Sequence, residues 1–150
     1  MSSVPSVEPM LPFLLMQAES GVNERINRRV IEAGHHGLRP VHGLVFARIA
    51  GGGASINDIA RHLGMTKQSA AAIVEALESN GYVVRTAHPS DRRARLIELT
   101  DRGESVMRLA GAAAAAEISA LTAVIGDAAT RVVVDALRIL GEGASPRPSW

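Results

Sequence analysis

The 150-residue chain contains no cysteine. That excludes a disulfide framework, a thiolate zinc site and a thiol redox switch. It is compatible with the reducing cytosol, and a cytoplasmic location is the expectation. Lysine is almost missing as well: Lys67 is the only one among 16 basic residues, so positive charge rests on arginine. No run of about eighteen uninterrupted apolar residues occurs, so no membrane span is expected. The nearest stretch, LAGAAAAAEISALTAVIG, is mostly alanine and is broken by Glu117. The first twenty residues have no basic start, and Pro12 interrupts their short apolar run, so no secretory signal is expected.

Signatures of catalysis are absent too. There is no His-Glu-x-x-His, no Gly-Lys-Ser/Thr loop and no Gly-x-Ser-x-Gly. Gly51 to Gly53 lead into ASIND without a lysine and read as a flexible connection, not a phosphate cradle. His35, His36, His42, His62 and His88 raise the question of metal. The His35-His36 pair has no carboxylate at a matching spacing, so polar loop and cap histidines are the preferred reading. The chain is expected not to be an enzyme, and no metal or cofactor is expected.

What is present is one domain by length, with extensions. The formal net charge is +1, so total charge does not argue for nucleic acid. Its distribution says more. Five arginines fall between Arg85 and Arg102, against Asp91, Glu98 and Asp101.

Residues 1–9 read as a flexible arm. Leu11, Leu14, Leu15, Ala18, Val22, Ile26 and Val30 recur at helical spacing through about Ala33. A second helix is expected from Pro40 to Ala50, ended by the three glycines. A short third helix follows, with Asn57 as its expected N-cap and Ile59, Ala60 and Leu63 facing inward. Gly64 breaks it, and Thr66 caps a fourth helix over Lys67–Ser79. Gly81 is the expected left-handed residue after that helix. Tyr82–Thr86 and Ala94–Leu99 alternate as the arms of a hairpin. Thr100 caps a long helix through about Ala123, and Asp127 caps a last one through about Leu140. The tail, 142–150, is rich in Gly, Pro and Ser and is expected to be disordered.

Residues 56–75 fit the register of a DNA-reading helix–turn–helix. Ala60 is small where two helices touch, and Gly64 stands four residues on, where the chain must turn. Ile59, Leu63, Met65 and Ile73 fill the buried positions. Thr66, Lys67, Gln68, Ser69, Ala71 and Ala72 are left on the exposed side of the second helix. Gln68 suits adenine, Lys67 guanine or phosphate, Thr66 and Ser69 a phosphate or base edge, and Ala71 or Ala72 a thymine methyl. Alone, such a match also describes two helices that simply pack together.

The hairpin decides between these. A two-stranded ribbon straight after a recognition helix is a wing, whose tip reaches a neighbouring minor groove. The negative potential there favours an inserted arginine. Arg92 and Arg93 sit at the tip, Arg95 is placed for flanking phosphates, and Asp91 is expected to bracket an arginine guanidinium. By itself the same run would read as a solvated, self-neutralising turn.

The stretch LGMTKQSAAAIVEALESNGYVVRTAHPSDRRARLIELTDRG resembles the multiple antibiotic resistance regulator (MarR) family. The resemblance rests on Leu77-Glu78 with Gly81-Tyr82-Val83, on Asp91 with Arg93, and on Leu99-Thr100 with Gly103, within residues 59–103. It implies a mainly α fold with a small β-hairpin wing: a winged helix-turn-helix lobe over 38–99, and a helical dimerisation region over 10–36 and 100–141. It implies a bacterial, homodimeric regulator, expected to be a repressor of a pseudo-palindromic operator on double-stranded DNA. Arg93 is then the minor-groove arginine and Asp91 its partner. The chain departs from the family in one place: Ala71 and Ala72 stand where many members have Ser or Thr and then Arg. That leaves open a winged-helix protein acting mainly in ligand or protein binding with weak DNA affinity.

The outer helices carry more apolar residues than one buried face needs, and the run AGAAAAAEISALTAVI allows close helix approach. In the family such helices interlock as a two-fold dimer. Family members often take small aromatic or acidic ligands between the dimer helices and the DNA-binding lobe, which relieves repression. Met16, His42, Phe46 and Met107 are the candidates for such a site, against the plainer reading that they are core.

Overall fold

A computed structural model describes residues 10–91 and 93–144. Six helices and one hairpin follow in the order α1 (Leu11–Glu32), α2 (Pro40–Ile49), α3 (Ile56–Leu63), α4 (Lys67–Ser79), β1 (Val83–Ala87), β2 (Arg95–Leu99), α5 (Asp101–Ile125) and α6 (Asp127–Leu140). The expected arm at 1–9, residues 145–150 of the tail, and Arg92 lie outside the described residues.

Local chemistry accounts for the boundaries. Pro12 and Pro40 occupy first turns, where a missing N–H costs nothing. The third helix is capped by Ser55, not Asn57: the Ser55 hydroxyl accepts the Asp58 N–H at 3.1 Å, and the Asp58 carboxylate accepts the Ser55 N–H at 3.2 Å. This reciprocal box satisfies two otherwise orphaned donors. The last helix likewise starts one residue earlier than expected, with Gly126 as N-cap and Asp127 as the first helical residue. Thr66 and Thr100 cap α4 and α5 as expected, accepting the N–H groups of Ser69 and Gly103. Gly81 has φ +74, the left-handed conformation that stops α4.

The core lies in the middle of the chain. Val45, Phe46, Ile49, Ile59, Leu63, Val74, Leu77, Tyr82 and Ile97 are the large side chains almost wholly removed from solvent. They come from α2, α3, α4 and the hairpin, so the hairpin is roofed by helices, as a two-stranded ribbon needs. Its register pairs Val83 with Leu99 and Ala87 with Arg95. A third, minimal strand was not anticipated: Ala54 bridges Ile97 antiparallel, exchanging hydrogen bonds of 2.8 and 3.1 Å. It ties the connection after α2 to the base of the wing.

The outer helices are different. α1 packs along α5, and α6 folds back on α5. Phe13 and Met16 on α1, Ile118 and Val124 on α5, and Val132 and Ile139 on α6 remain exposed. By length and composition α5 is apolar enough to cross a membrane, in contrast to the expectation of no such stretch. Here it is a bundle helix: Glu117 in its middle pairs with Arg25 on α1 at 2.6 Å.

Candidate nucleic-acid interface and ligand cavity

The turn between α3 and α4 follows from two residues. Gly64 takes φ +62, which an L side chain resists, and Thr66 starts the next helix. Ala60, 6% exposed, lets the helices close on each other, with Ala70 and Val74 buried opposite. What this leaves outside is the first turn of α4. Thr66, Lys67, Gln68 and Ser69 are exposed together, and Ala72 is exposed a turn later. Ala71 is half-buried, so the sequence-based placement of it on the open face holds only in part. The Thr66 and Ser69 hydroxyls lie 2.9 Å apart and bond each other, so the cap organises the polar edge of the helix.

The wing tip is organised by its own backbone. His88 N–H donates to the Ala94 carbonyl at 3.3 Å, and Ala94 N–H donates to the Asp91 carbonyl at 3.1 Å. The Asp91 carboxylate accepts the backbone N–H of Arg93 at 2.9 Å. This corrects the expected role of Asp91 toward Arg93: it holds the chain beside the arginine, and among the described residues it forms no ion pair with a guanidinium. Arg93 is left exposed.

A cleft of about 250 Å³ lies between the start of α4 and the wing, lined by Ser55, Asn57, Lys67, Arg85, Arg93 and Arg95 among others. Cations from three segments therefore converge on one concavity. Arg85 is partly neutralised by Glu78 at 2.9 Å, whereas Lys67, Arg93 and Arg95 have no ion pair among the described residues. Arg85 was not among the residues expected from sequence. Strand alternation held the signal: Arg85, Ala87 and their partners Ile97 and Arg95 share one face of the ribbon.

A second, largely apolar cavity of about 350 Å³ opens between α1, α2 and α5. His42, Phe46 and Met107 line it, with Ile26, Val30 and Val106. Met16 does not: it stands on α1, 64% exposed, away from this cavity. Burial, seconded by the charge of Arg39, lowers the His42 pKa to about 4, so its ring is neutral at pH 7.

Comparison with known proteins covers the interface and most of the chain around it. The MarR family model matches residues 36–94, from the approach to α2 through the wing tip. The HTH-type transcriptional regulator MhqR of Bacillus subtilis (strain 168) is 24% identical over 133 residues, 88% of this chain and 90% of its own. The transcriptional repressor CouR bound to a 23-mer DNA duplex is similar with a TM-score of 0.73 at 26% identity, over 95% of this chain and 99% of CouR. Over residues 36–94 the chain matches the MarR family, and it is similar to these regulators over most of its length.

CouR from Rhodococcus jostii RHA1 bound to p-coumaroyl-CoA is similar to this chain with a TM-score of 0.69 at 26% identity, over 95% of this chain and 98% of that one. The MarR family model stops at Ala94, short of β2. The likeness to MhqR and CouR extends over most of the remaining chain.

Proposed function

We propose that the protein is a sequence-specific, DNA-binding transcriptional regulator: a dimeric, ligand-responsive repressor of a pseudo-palindromic operator. The observation that carries this is the convergence of Lys67, Arg93 and Arg95 on one cleft beside the exposed first turn of α4. In this reading α4 enters the major groove. Gln68 and Lys67 address base edges, Thr66 and Ser69 a phosphate, and Ala71 and Ala72 give apolar contact. Arg93 enters the minor groove, with Arg95 and Arg92 on the phosphates. The DNA-bound repressor CouR, at 26% identity, supports it.

The lobe over 38–99 would read DNA, and 10–36 with 100–141 would form the dimer. The exposed apolar faces of α1 and α6 support that division, since a contiguous apolar surface marks an interface. A two-fold dimer sets two recognition helices about one DNA turn apart. The α1–α2–α5 cavity would take a small aromatic or acidic ligand, as the ligand-bound CouR suggests. A cytoplasmic location follows from this role.

A mobility-shift series against the gene's own upstream DNA, with salt varied, tests the reading. A specific complex with a steep salt slope is expected. No binding to any palindromic site at low salt would overturn it and favour a protein working through ligand or protein contacts, to which Ala71 and Ala72 already lean by offering no polar group.

A further inference from the structure

Arg85 comes from the middle of β1 and borders the cleft between α4 and the wing, together with Lys67, Arg93 and Arg95. Unlike those three, it is held among the described residues by a side chain: its Nε–H donates to the Glu78 carboxylate at 2.9 Å, near the end of α4. That bond uses one of the five N–H donors of the guanidinium. Nη1 and Nη2 carry the rest, and among the described residues they have no hydrogen-bond partner. The Arg85 and Glu78 side chains are 32% and 38% exposed, so the pair is half-buried. A planar fork fixed at one nitrogen has given up much of its rotamer freedom before any ligand arrives, and further bonds to it cost less entropy.

With α4 in a major groove and the wing in the adjacent minor groove, one sugar–phosphate strand separates the two grooves. That strand must cross between α4 and the wing, and the concavity between them is this cleft. We propose that Arg85 contacts a phosphate of the crossing strand through its Nη groups, and that Glu78 is its positioning residue. This rests on the DNA-binding reading above and adds to it a contact between the recognition helix and the wing tip. A phosphate contact carries no base information, so Arg85 sets affinity and register and leaves the choice of sequence to α4. Its two Nη groups take two phosphate oxygens at once, which the point charge of a lysine does not reproduce. Glu78 lowers the net charge of the cleft, yet it orients the one cation that β1 contributes.

The test is a mobility-shift titration of the full chain on the gene's own upstream DNA at several salt concentrations, with phosphate-ethylation interference on the same fragment. Arg85→Ala should bind about tenfold more weakly, the loss of a charge-assisted hydrogen bond. The loss should be alike on operator and unrelated duplexes, with the salt slope lowered by about one per bound protomer. Ethylation of a phosphate between the two contacted grooves should block the wild type, and the same phosphate should cease to matter in Arg85→Ala. Arg85→Lys should keep the slope and bind severalfold more weakly. Glu78→Ala separates positioning from charge. It removes a negative charge beside DNA, so charge alone predicts tighter binding, whereas lost positioning predicts severalfold weaker binding. Glu78→Gln keeps an acceptor for the Nε–H and should bind at least as tightly as wild type. Arg85→Ala with wild-type affinity and slope would overturn the phosphate contact, and Glu78→Ala binding more tightly than wild type would overturn the positioning role. If Arg85→Ala does not fold, Arg85→Gln removes the same charge and is read in its place. Wild-type binding with unchanged variants sinks this proposal alone; a wild-type chain that shifts no duplex at low salt sinks the DNA reading, and this proposal with it.

Discussion

The carboxylate of Asp91 holds the backbone N–H of Arg93 at 2.9 Å, at the tip of the wing. The acid therefore shapes the chain that presents the arginine. An amide has the same acceptor oxygen, so Asp91→Asn should bind operator DNA nearly as wild type, whereas Asp91→Ala should bind severalfold more weakly through a looser tip. Arg93→Ala should cost about 1–3 kcal/mol of DNA binding. A mobility-shift titration of the three variants checks this, and Asp91→Asn behaving like Asp91→Ala would count against the backbone role.

The helix before the turn depends on Ser55. Ser55→Ala removes the acceptor for the Asp58 N–H and should lower stability by about 1 kcal/mol. Asn57→Ala, one position inside the same helix, should change it little. Urea unfolding of both variants compares them directly, and an equal loss would refute the assignment of the cap.

Gly103 sits under the wing at the start of α5. A Cβ there would collide with the Tyr82 carbonyl oxygen and the Leu99 side chain. Gly103→Ala should destabilise the fold by about 1–3 kcal/mol, as overpacking does. Thermal melts would show it, and an unchanged midpoint would mean that α5 can shift away from β1.

Stability should fall on mild acidification. The folded His42 pKa is about 4, below the ordinary 6.5. Between those values the unfolded chain binds a proton that the folded chain does not. The contribution is therefore complete above pH 6.5 and is lost as pH falls toward 4. Urea midpoints should drop from pH 7 to pH 5, and less so in His42→Gln. An identical drop in that variant would assign the effect to other groups.

The apolar faces of α1 and α6 give a further check. Phe13 and Ile139 are 69% and 71% exposed. Phe13→Glu combined with Ile139→Glu should yield a monomer by analytical ultracentrifugation with its helical content retained. A wild-type chain that sediments as a monomer would remove the two-fold reading of the operator.

Much of the fold was legible because its signals are local. Helical spacing from Leu11 to Val30, prolines at helix starts, Thr66 and Thr100 as caps and Gly64 and Gly81 as stops each act within a few residues. The misassigned caps have the same origin. Ser55 and Asn57 are both good N-caps by type, as Gly126 and Asp127 are at the last helix. The choice rests on where the preceding chain is anchored, and the Ala54–Ile97 bridge anchors it at Ser55. That bridge joins residues 43 positions apart, so no local pattern announces it.

The sequence by itself determined the element order, the exposed first turn of α4 and the presence of arginines on the wing. Periodicity, capping and turn chemistry are properties of short stretches. Tertiary structure decided what those pieces do together. It brought Lys67, Arg85, Arg93 and Arg95 around one cleft. Among the described residues it made Asp91 a brace on the Arg93 backbone, set Met16 apart from the cavity and left His42 Nε2 without a hydrogen-bond partner. Which atoms meet across long separations depends on how the helices pack, and packing is settled by the whole core at once.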